Sequence, residues 1–431
     1  MSKLRLILLF ITTINLIILS QYLLSNPLTQ VPFSLLSPNL SASHSDHPQD
    51  PPTFLPLKDP RLTKSPWTWF MSSLNDTQEP NSPLHLLFPS PPSNSTLLCL
   101  NAHDRRNGSK NFYALANPNS LPHNSTLLPG LTVVSDTYYD YNNLWHSIST
   151  VVPFIAWHRK NECARPKRWV LFHWGELRTE MGSWVKSLTE GATGNEVKIE
   201  DFEEFEGFGS VCFERAVVFR HAEKGLPAGE REKVYDMIRC RVRDYCGVNF
   251  DGLRNEIRVT LLLRVGGRAF KNESAVAGVF QGECEKVDGC AMKIAWPHNM
   301  TFCDQVKLLS DTDILVSAHG AQMTNLIFMD KNSSVMEFFP KGWLEHAGVG
   351  QFAFKWMAGY TGMRHQGQWK DIEGEDCPHD DNANCFAFYK NGKIGHDEAY
   401  FATWMADVLR EVKASKSSNK QEIQQSECPC S

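Results

Sequence analysis

Short apolar runs alternate with longer amphipathic runs between about residues 131 and 339, and this alternation restricts the chain to few folds. The short runs predict strands at 131–135, 168–173, 215–220, 257–264, 291–296, 313–318 and 334–339. The longer runs predict helices at 143–158, 176–189, 229–245, 302–311, 321–329 and 397–412. Strands that alternate with helices predict an α/β fold with parallel sheet covered on both faces.

Length and charge narrow the classes of protein further. The chain has 431 residues, of which 42% are hydrophobic. Single cores stop growing near about 250–300 residues, so we expect two domains. The net charge is −5, and Lys and Arg residues are spread along the chain without a basic stripe. This distribution argues against nucleic acid as a partner.

The N-terminus predicts a membrane anchor. Residues 6–24 carry no charge, and about 20 apolar residues cross a bilayer. Lys3 and Arg5 precede this segment, so residues 1–5 should be cytoplasmic and the rest lumenal. A cleaved signal peptide is the alternative, although its apolar core is usually shorter. Residues 25–98, rich in Ser and Pro, predict a flexible stem, and residues 396–431 predict a helix with a loose polar tail.

Glycosylation signals and cysteines agree with a lumenal location. N-x-S/T acceptors within the expected folded part are Asn272, Asn299 and Asn332. The even number of cysteines, twelve, could pair in an oxidising compartment. Two pairs are close enough in sequence to be candidates for local disulfides, namely Cys284 with Cys290 and Cys377 with Cys385. The sequence contains no C-x-x-C, so zinc and redox chemistry are not indicated.

The turn "SAHGAQMTN" follows the predicted strand at 313–318. In open α/β sheets ligands bind beyond the carboxyl ends of strands, and anions favour the N-terminus of the next helix. Gly320 and Ala321 would let a phosphate or sugar approach the backbone, and His319 could donate a hydrogen bond to it. The alternative is a tight turn whose histidine only satisfies a nearby carbonyl.

Two further segments suggest a nucleotide diphosphate. Glu337 lies near the end of the next strand, where a carboxylate could accept the two hydroxyls of a ribose. Arg264 and Arg268 follow the strand at 257–264, and the arginine fork suits pyrophosphate oxygens. Surface salt bridges are the alternative for both arginines. A literal DxD, Asp311 to Asp313, precedes its strand and therefore lies away from this pocket.

The segment "FCDQVKLLSDTDILVSAHGAQMTNLIFMDKNSSVMEFFP" resembles the core of glycosyltransferase family 61. This family includes plant xylan and N-glycan pentosyltransferases and animal protein O-GlcNAc transferases. "RVGGRAFKNES" and "YNNLWHS" are similar to two further motifs of the family. The resemblance covers roughly residues 130–345. Two departures are Gln322-Met323, where members commonly have Gly-Leu, and Ser149-Thr150, where an acidic residue often follows the histidine motif.

The resemblance implies a GT-B architecture of two Rossmann-like domains facing across a cleft. We place an acceptor-side domain at 99–254 and a donor-binding domain at 255–395. The helix at 397–412 is a candidate to cross back to the acceptor-side domain. The resemblance also implies an inverting reaction. We expect His146 to be the base, and a buried, structurally hydrogen-bonded histidine is the alternative. We expect no required cofactor, because nearby cations and helix dipoles can stabilise the leaving phosphate. The donor-binding set is Arg264, Arg268, His319, Gly320, Ala321, Thr324, Asn325 and Glu337.

We therefore expect a type II Golgi membrane glycosyltransferase. It would move a pentose or GlcNAc from a UDP-sugar to a hydroxyl of a glycan, such as a cell wall polysaccharide, or of a glycoprotein. A first alternative is a catalytically inactive relative that binds glycans. A second is a metal-dependent transferase that uses Asp136 or Asp140.

Overall fold

Two β-sheets organise the fold of the described residues. A computed structural model describes residues 54–56, 85–89, 96–102, 110–136, 143–173, 175–202, 209–219, 226–248, 256–418 and 428–430. The predicted anchor at 6–24 lies outside these residues, as does Asp140. No helix among the described residues combines the length and apolar character that a membrane crossing requires.

The first sheet has eight strands in the order β1-β4-β3-β8-β5-β6-β7, with β2 also paired to β8. Strand β5 runs parallel to β6 and β8, and the other pairs are antiparallel. The bounds are β1 Leu55–Pro56, β2 His85–Phe88, β3 Leu97–Ala102, β4 Asn111–Ala116, β5 Ser125–Asp136, β6 Arg168–His173, β7 Glu176–Arg178 and β8 Ser210–Phe219.

The second sheet has five strands, all parallel, in the order β10-β9-β11-β12-β13. In chain order this is 2-1-3-4-5, one of the doubly wound arrangements, and its order reverses between β9 and β11. The bounds are β9 Ile257–Leu262, β10 Cys290–Ala295, β11 Ile314–Ala318, β12 Ser334–Phe339 and β13 Arg364–Lys370.

Helices cover these sheets and join them. The α-helices are α1 Leu144–Lys160, α2 Ser183–Thr193, α3 Ala228–Tyr245, α4 Glu273–Glu285, α5 Phe302–Ser310, α6 Trp343–His346, α7 Ala353–Tyr360, α8 Asn382–Asn391 and α9 Glu398–Ser418. Three 3-10 helices occupy Pro297–Asn299, Ala321–Phe328 and Gly348–Phe352.

One hydrophobic cluster runs from the first sheet to the second. It contains apolar side chains of α1, α2 and α3 together with those of α5, α7 and the 3-10 helix Ala321–Phe328. The opposite face of the second sheet packs against α4 and α9. The two sheets therefore share a core, and all described residues fall in one unit, Pro51–Ser431. The expected two-domain division near residue 254 stays a prediction.

Buried polar contacts also join the two halves. The indole nitrogen of Trp184 on α2 donates to the side-chain oxygen of Asn325 at 2.9 Å. Arg243 on α3 donates to the carbonyl of Phe328 and pairs with Asp330 at 2.7 Å. Because the side chains of Trp184, Asn325 and Arg243 are withdrawn from water, each must keep its partner, and the contacts fix how α2 and α3 sit against the second sheet.

Disulfides join all twelve cysteines, so the two local pairs predicted from sequence, Cys284–Cys290 and Cys377–Cys385, are confirmed. The others are Cys99–Cys212, Cys163–Cys430, Cys240–Cys428 and Cys246–Cys303. Cys428 and Cys430 thus tie the end of the chain to the first half. The tail predicted to be loose after the helix, from about residue 413, is therefore held at these two positions by distant cysteines.

Other predictions need correction. Within the expected stem at 25–98, β1 and β2 pair with strands of the first sheet, so parts of that segment are folded. The predicted helix at 176–189 begins instead with β7, because Gly175, at φ +78°, turns the chain into a hairpin with β6. The helix predicted at 321–329 is a 3-10 helix. Parallel pairing holds throughout the second sheet but only for β5, β6 and β8 in the first.

Two helices of the second half differ from expectation in another way. Helix α4 was not predicted, although its buried side chains Val276, Phe280 and Cys284 recur every four residues. That spacing is the ordinary signal of a helix with one apolar face. Helix α9, expected to cross back to the first half, packs through Phe401 and Met405 against the second sheet.

Trp184→Phe should lower stability because it leaves the buried oxygen of Asn325 without a donor. An unsatisfied buried acceptor costs about 1–3 kcal/mol. We expect the free energy of unfolding to fall by about this amount, which lowers the denaturant midpoint. The matched control is Trp356→Phe, since the Trp356 side chain is 42% exposed. Equal midpoints for the two variants would contradict this role of the Trp184 hydrogen bond.

Candidate functional site

The predicted site residues gather where the strand order of the second sheet reverses. Arg264 follows β9 and His319 follows β11, and these two strands are neighbours that run in parallel. The carboxyl ends of both strands therefore meet at one edge, which is where doubly wound sheets bind ligands. The structure brings together Arg264, Arg268, His319, Gly320 and Ala321 at this edge.

Arg264 lies directly against the turn. Its guanidinium donates to the backbone carbonyl of His319 at 3.1 Å and to the side-chain oxygen of Gln322 at 3.4 Å. A Cβ atom at Gly320 would overlap the Nη1 atom of Arg264 and the Oε1 atom of Gln322. Any residue could adopt the extended backbone of Gly320, whose φ is 165°. Glycine is needed at this position because a side chain would prevent the close approach of Arg264 and Gln322.

Arg268 is a second cation beside Arg264. Its backbone N–H donates to the carbonyl of Gly392 at 2.7 Å, and its guanidinium lies 5.0 Å from the ring centre of Trp343. Burial, followed by repulsion from Arg264, lowers the pKa of Arg268 to about 9, so it remains charged at neutral pH. Among the described residues no carboxylate forms an ion pair with either arginine. The site therefore carries uncompensated positive charge.

Glu337 joins two histidines beneath this edge. Its Oε1 atom lies 2.6 Å from Nδ1 of His319, and its Oε2 atom lies 2.8 Å from Nε2 of His365. Glu337 is fully buried. Burial alone would raise the pKa of Glu337, but the hydrogen bonds from His319 and His365 outweigh it and hold that pKa below its usual value. The carboxylate is thus ionised while the two imidazoles occupy both of its oxygens.

His319 is surrounded by aromatic rings. Its imidazole stacks on Phe339 at 4.8 Å and contacts Trp343 at 5.5 Å and Phe354 at 5.2 Å between ring centres. Burial lowers the pKa of His319, against the opposing effect of Glu337, and Arg268 and Arg264 lower it further. A neutral imidazole beside an ionised Glu337 places the proton on Nδ1, where it donates to the carboxylate.

The predicted base His146 lies in the first turn of α1 and is partly buried. Its neighbour Trp145 contacts Phe354 edge-on at 5.5 Å between ring centres. Phe354 in turn contacts His319. The start of α1 is therefore joined to the turn after β11 by two successive ring contacts, although the two are far apart in sequence.

Thr324 and Asn325 lie deeper than the other predicted donor-binding residues. Thr324 is fully buried, and Asn325 is 1% exposed. The amide of Asn325 accepts from Trp184 and donates to Gln305 at 2.8 Å. These contacts give Asn325 a packing role, and its predicted contact with the donor stays a prediction.

The DxD residues and the glycosylation acceptors lie elsewhere. Asp311 pairs with Arg258 and with Lys293 at 2.8 Å, while Asp313 pairs with Lys416 at 2.8 Å. Asn272, Asn299 and Asn332 are all exposed. Asn272 also caps α4, because its side-chain oxygen accepts from the backbone N–H of Ala275 at 3.0 Å.

Sequence reasoning missed His365, Gln322, Trp343 and Phe354. His365 is a single histidine at the start of β13 with no motif around it, so only the pairing of β12 with β13 reveals its contact with Glu337. Gln322 was noted as a departure from the family pattern, but its contact with Arg264 depends on the fold.

Acid should destabilise the protein through His319. The pKa of His319 is lower in the folded chain than its ordinary 6.5, so below pH 6.5 the unfolded chain binds a proton that the folded chain refuses. The contribution of this group to stability is complete above pH 6.5 and is lost as pH falls. We expect His319→Gln to reduce the acid shift of the melting temperature. The exposed His298→Gln is the control, and equal shifts in both variants would contradict this assignment.

Residues 127–336 match the family described as Glycosyltransferase 61. The curated proteins contain no match to the chain. The matched segment includes His146, both arginines and the turn at His319.

Likeness to solved structures is weak. An oxidoreductase from Corynebacterium diphtheriae is 11% identical, with 39% of this chain and 100% of that chain covered and a TM-score of 0.26. The Flv1 flavodiiron core from Synechocystis sp. PCC6803 is 11% identical, with 50% and 47% covered and a TM-score of 0.26. Rubredoxin oxygen:oxidoreductase from Desulfovibrio gigas is 8% identical, with 74% and 66% covered and a TM-score of 0.23. Scores this low carry no argument about fold or function. The family match, in contrast, spans both arginines and the turn at His319, and the chain belongs to glycosyltransferase family 61.

Proposed function

We propose that the chain is an inverting glycosyltransferase that moves a pentose or GlcNAc from a UDP-sugar to a hydroxyl of a glycan or glycoprotein. The observation that carries this proposal is the pair of cations, Arg264 and Arg268, at the switch point of a doubly wound sheet. Partly buried guanidinium groups without a carboxylate partner favour an anionic ligand, and a diphosphate supplies two negative charges.

The donor would lie across the turn after β11. Its diphosphate would face Arg264 and Arg268 and the first N–H groups of the 3-10 helix Ala321–Phe328, with Gly320 leaving room for close approach. The arginines would also stabilise the charge that develops on the diphosphate as it leaves. This electrostatic stabilisation accounts for our proposal that no cofactor is required.

The transfer itself needs a base on the acceptor side. The acceptor oxygen would attack the anomeric carbon while the bond from that carbon to the diphosphate oxygen breaks, and the base would take the hydroxyl proton. We propose His146 as that base. Its place on α1, joined to the donor edge by Trp145 and Phe354, supports the proposal.

We also propose that the protein is a type II Golgi membrane protein with its folded part in the lumen. Six disulfides support an oxidising compartment, since disulfides are rare in the cytosol. The exposure of Asn272, Asn299 and Asn332 leaves these acceptors open to glycosylation. The anchor over 6–24 and the GT-B arrangement remain parts of the same proposal.

Gly320→Ala should weaken UDP binding without unfolding the protein. The added methyl would push aside the ends of two flexible side chains, Arg264 and Gln322. Loss of a charge-assisted hydrogen bond of about 1.5–3 kcal/mol corresponds to about 10- to 100-fold weaker binding by calorimetry. Gly278→Ala on α4, where a Cβ meets nothing within 4 Å, is the matched control. Unchanged affinity in Gly320→Ala would remove support for the pocket.

His146→Ala should keep UDP affinity and lose transfer by about 10²–10⁴-fold, the usual contribution of a positioned general base. Release of UDP from UDP-xylose, UDP-arabinofuranose and UDP-GlcNAc, with xylan and glycoprotein acceptors, measures the rate. His298→Ala, at an exposed histidine, is the control. Transfer at the wild-type rate by His146→Ala would show that His146 is structural.

The same assay separates the alternative functions. If the wild-type protein binds UDP but turns over none of these donors, the catalytically inactive, glycan-binding alternative is favoured. If a chelator abolishes transfer, the metal-dependent alternative gains support, and the search for ligands moves to Asp136 at the end of β5 and to Asp140.

A further inference from the structure

The hydrogen bonds of Glu337 already occupy the carboxylate that was expected to contact the ribose of the donor. Each carboxylate oxygen already accepts from an imidazole, at 2.6 Å from His319 and 2.8 Å from His365. Glu337 is 0% exposed, so a ligand at the surface would have to displace a histidine to reach it. These distances are typical of hydrogen bonds to an ionised acceptor. Glu337 is therefore placed to act on His319 rather than on a ligand directly.

The other nitrogen of His319 is available. In the part of the chain that the structure describes, Nδ1 of His319 bonds Glu337 and Nε2 bonds nothing. The charged groups facing this imidazole are Glu337 from β12 and the two arginines after β9. The rings of Phe339, Trp343 and Phe354 cover its remaining sides. These three charges, together with the charge of any bound ligand, would thus determine how tightly Nε2 holds a proton.

We propose that Glu337 and His365 are positioning residues for His319, and this inference rests on the proposed function. The Nε2 atom of His319 takes up a proton when the diphosphate of the donor binds. Glu337 supplies the negative charge that stabilises the imidazolium, and His365 keeps Glu337 ionised by donating to its second oxygen. The imidazolium then donates Nε2–H to a phosphate oxygen and becomes a third cation beside Arg264 and Arg268.

The proton and electron balance of this step is simple. The proton comes from solvent as the donor binds and returns to solvent when UDP leaves, so none is consumed. During transfer the bond between the anomeric carbon and the diphosphate oxygen breaks, and its electron pair stays on that oxygen. A nearby imidazolium stabilises this developing charge. The acceptor proton goes to the separate base.

Charge compensation explains why the proton would arrive only with the ligand. Without a diphosphate, burial and the two arginines keep the pKa of His319 below its ordinary value. A bound diphosphate offsets the arginines and raises that pKa. The binding benefit is complete below the pKa of the free protein and is lost as pH rises through the pKa of the complex. The affinity for UDP should therefore be lower at pH 8.5 than at pH 6.5, which is about the ordinary pKa of histidine.

The test is calorimetry of the full chain with UDP in buffers of different ionisation enthalpy, which gives the number of protons taken up. Free UDP titrates in the same pH range, but this contribution of the free ligand is common to all variants, so differences from wild type report on the bound state. Glu337→Gln keeps the shape of the side chain and removes its charge. We expect it to lose proton uptake and to weaken binding about tenfold at pH 6.5, with a smaller loss at pH 8.5.

Further variants keep the proposal falsifiable if Glu337→Gln folds poorly. His319→Gln retains a donor to Glu337 but cannot titrate, and it should also lose the uptake. His365→Leu should lose part of it, and His365→Gln, which keeps an N–H donor, should restore most of that part. A merely structural role for His365 predicts equal uptake in both His365 variants.

Three results would be decisive. An equal loss of affinity at pH 6.5 and pH 8.5 in Glu337→Gln, with unchanged proton uptake, would overturn the inference and make Glu337 a direct ligand contact. If wild type binds UDP and Gly320→Ala weakens it while no variant changes uptake, only the inference fails. If wild type does not bind UDP at all, the proposed function fails first, and the inference that rests on it fails too.

Discussion

Excess positive charge at one edge of the second sheet is the constraint on which the site depends. Arg264 and Arg268 both follow β9 and lie beside the turn after β11, while the carboxylate of Glu337 is hydrogen-bonded to two histidines. Partly buried cations are costly unless they are paired, and this is the physical reason that we propose an anionic ligand at this edge. The bare backbone at Gly320 and the ring of Trp343 complete the surroundings of the two guanidinium groups.

The packing of helices between the sheets decides what faces that edge. Helices α1, α2 and α3 share a core with the second sheet, and Trp184 and Arg243 anchor them by buried hydrogen bonds. The same packing sets Trp145 against Phe354 and so brings the first turn of α1 close to His319. The disulfides of Cys428 and Cys430 add covalent ties between the chain end and the first half.

Several strands of both sheets were predictable because strand and helix periods are local signals. The bounds predicted at 168–173 and 334–339 are those of β6 and β12, since each is a short apolar run closed by polar residues. The errors arose where one residue or a distant partner decides the structure. Gly175 creates a hairpin inside an amphipathic pattern, and β1 and β2 form only because β4 and β8 are available to pair with them.

By itself, the sequence determined the α/β class, the local disulfides and the position of the turn at His319, because each depends on residues close together along the chain. The motif resemblance likewise identified the family from contiguous segments. Only the tertiary structure decided that Glu337 meets His365, that Asn325 is used in packing, and that the two arginines lack a carboxylate partner among the described residues. These facts depend on which strands become neighbours, and hydrogen bonds and charge compensation follow from distances in space that no local pattern contains.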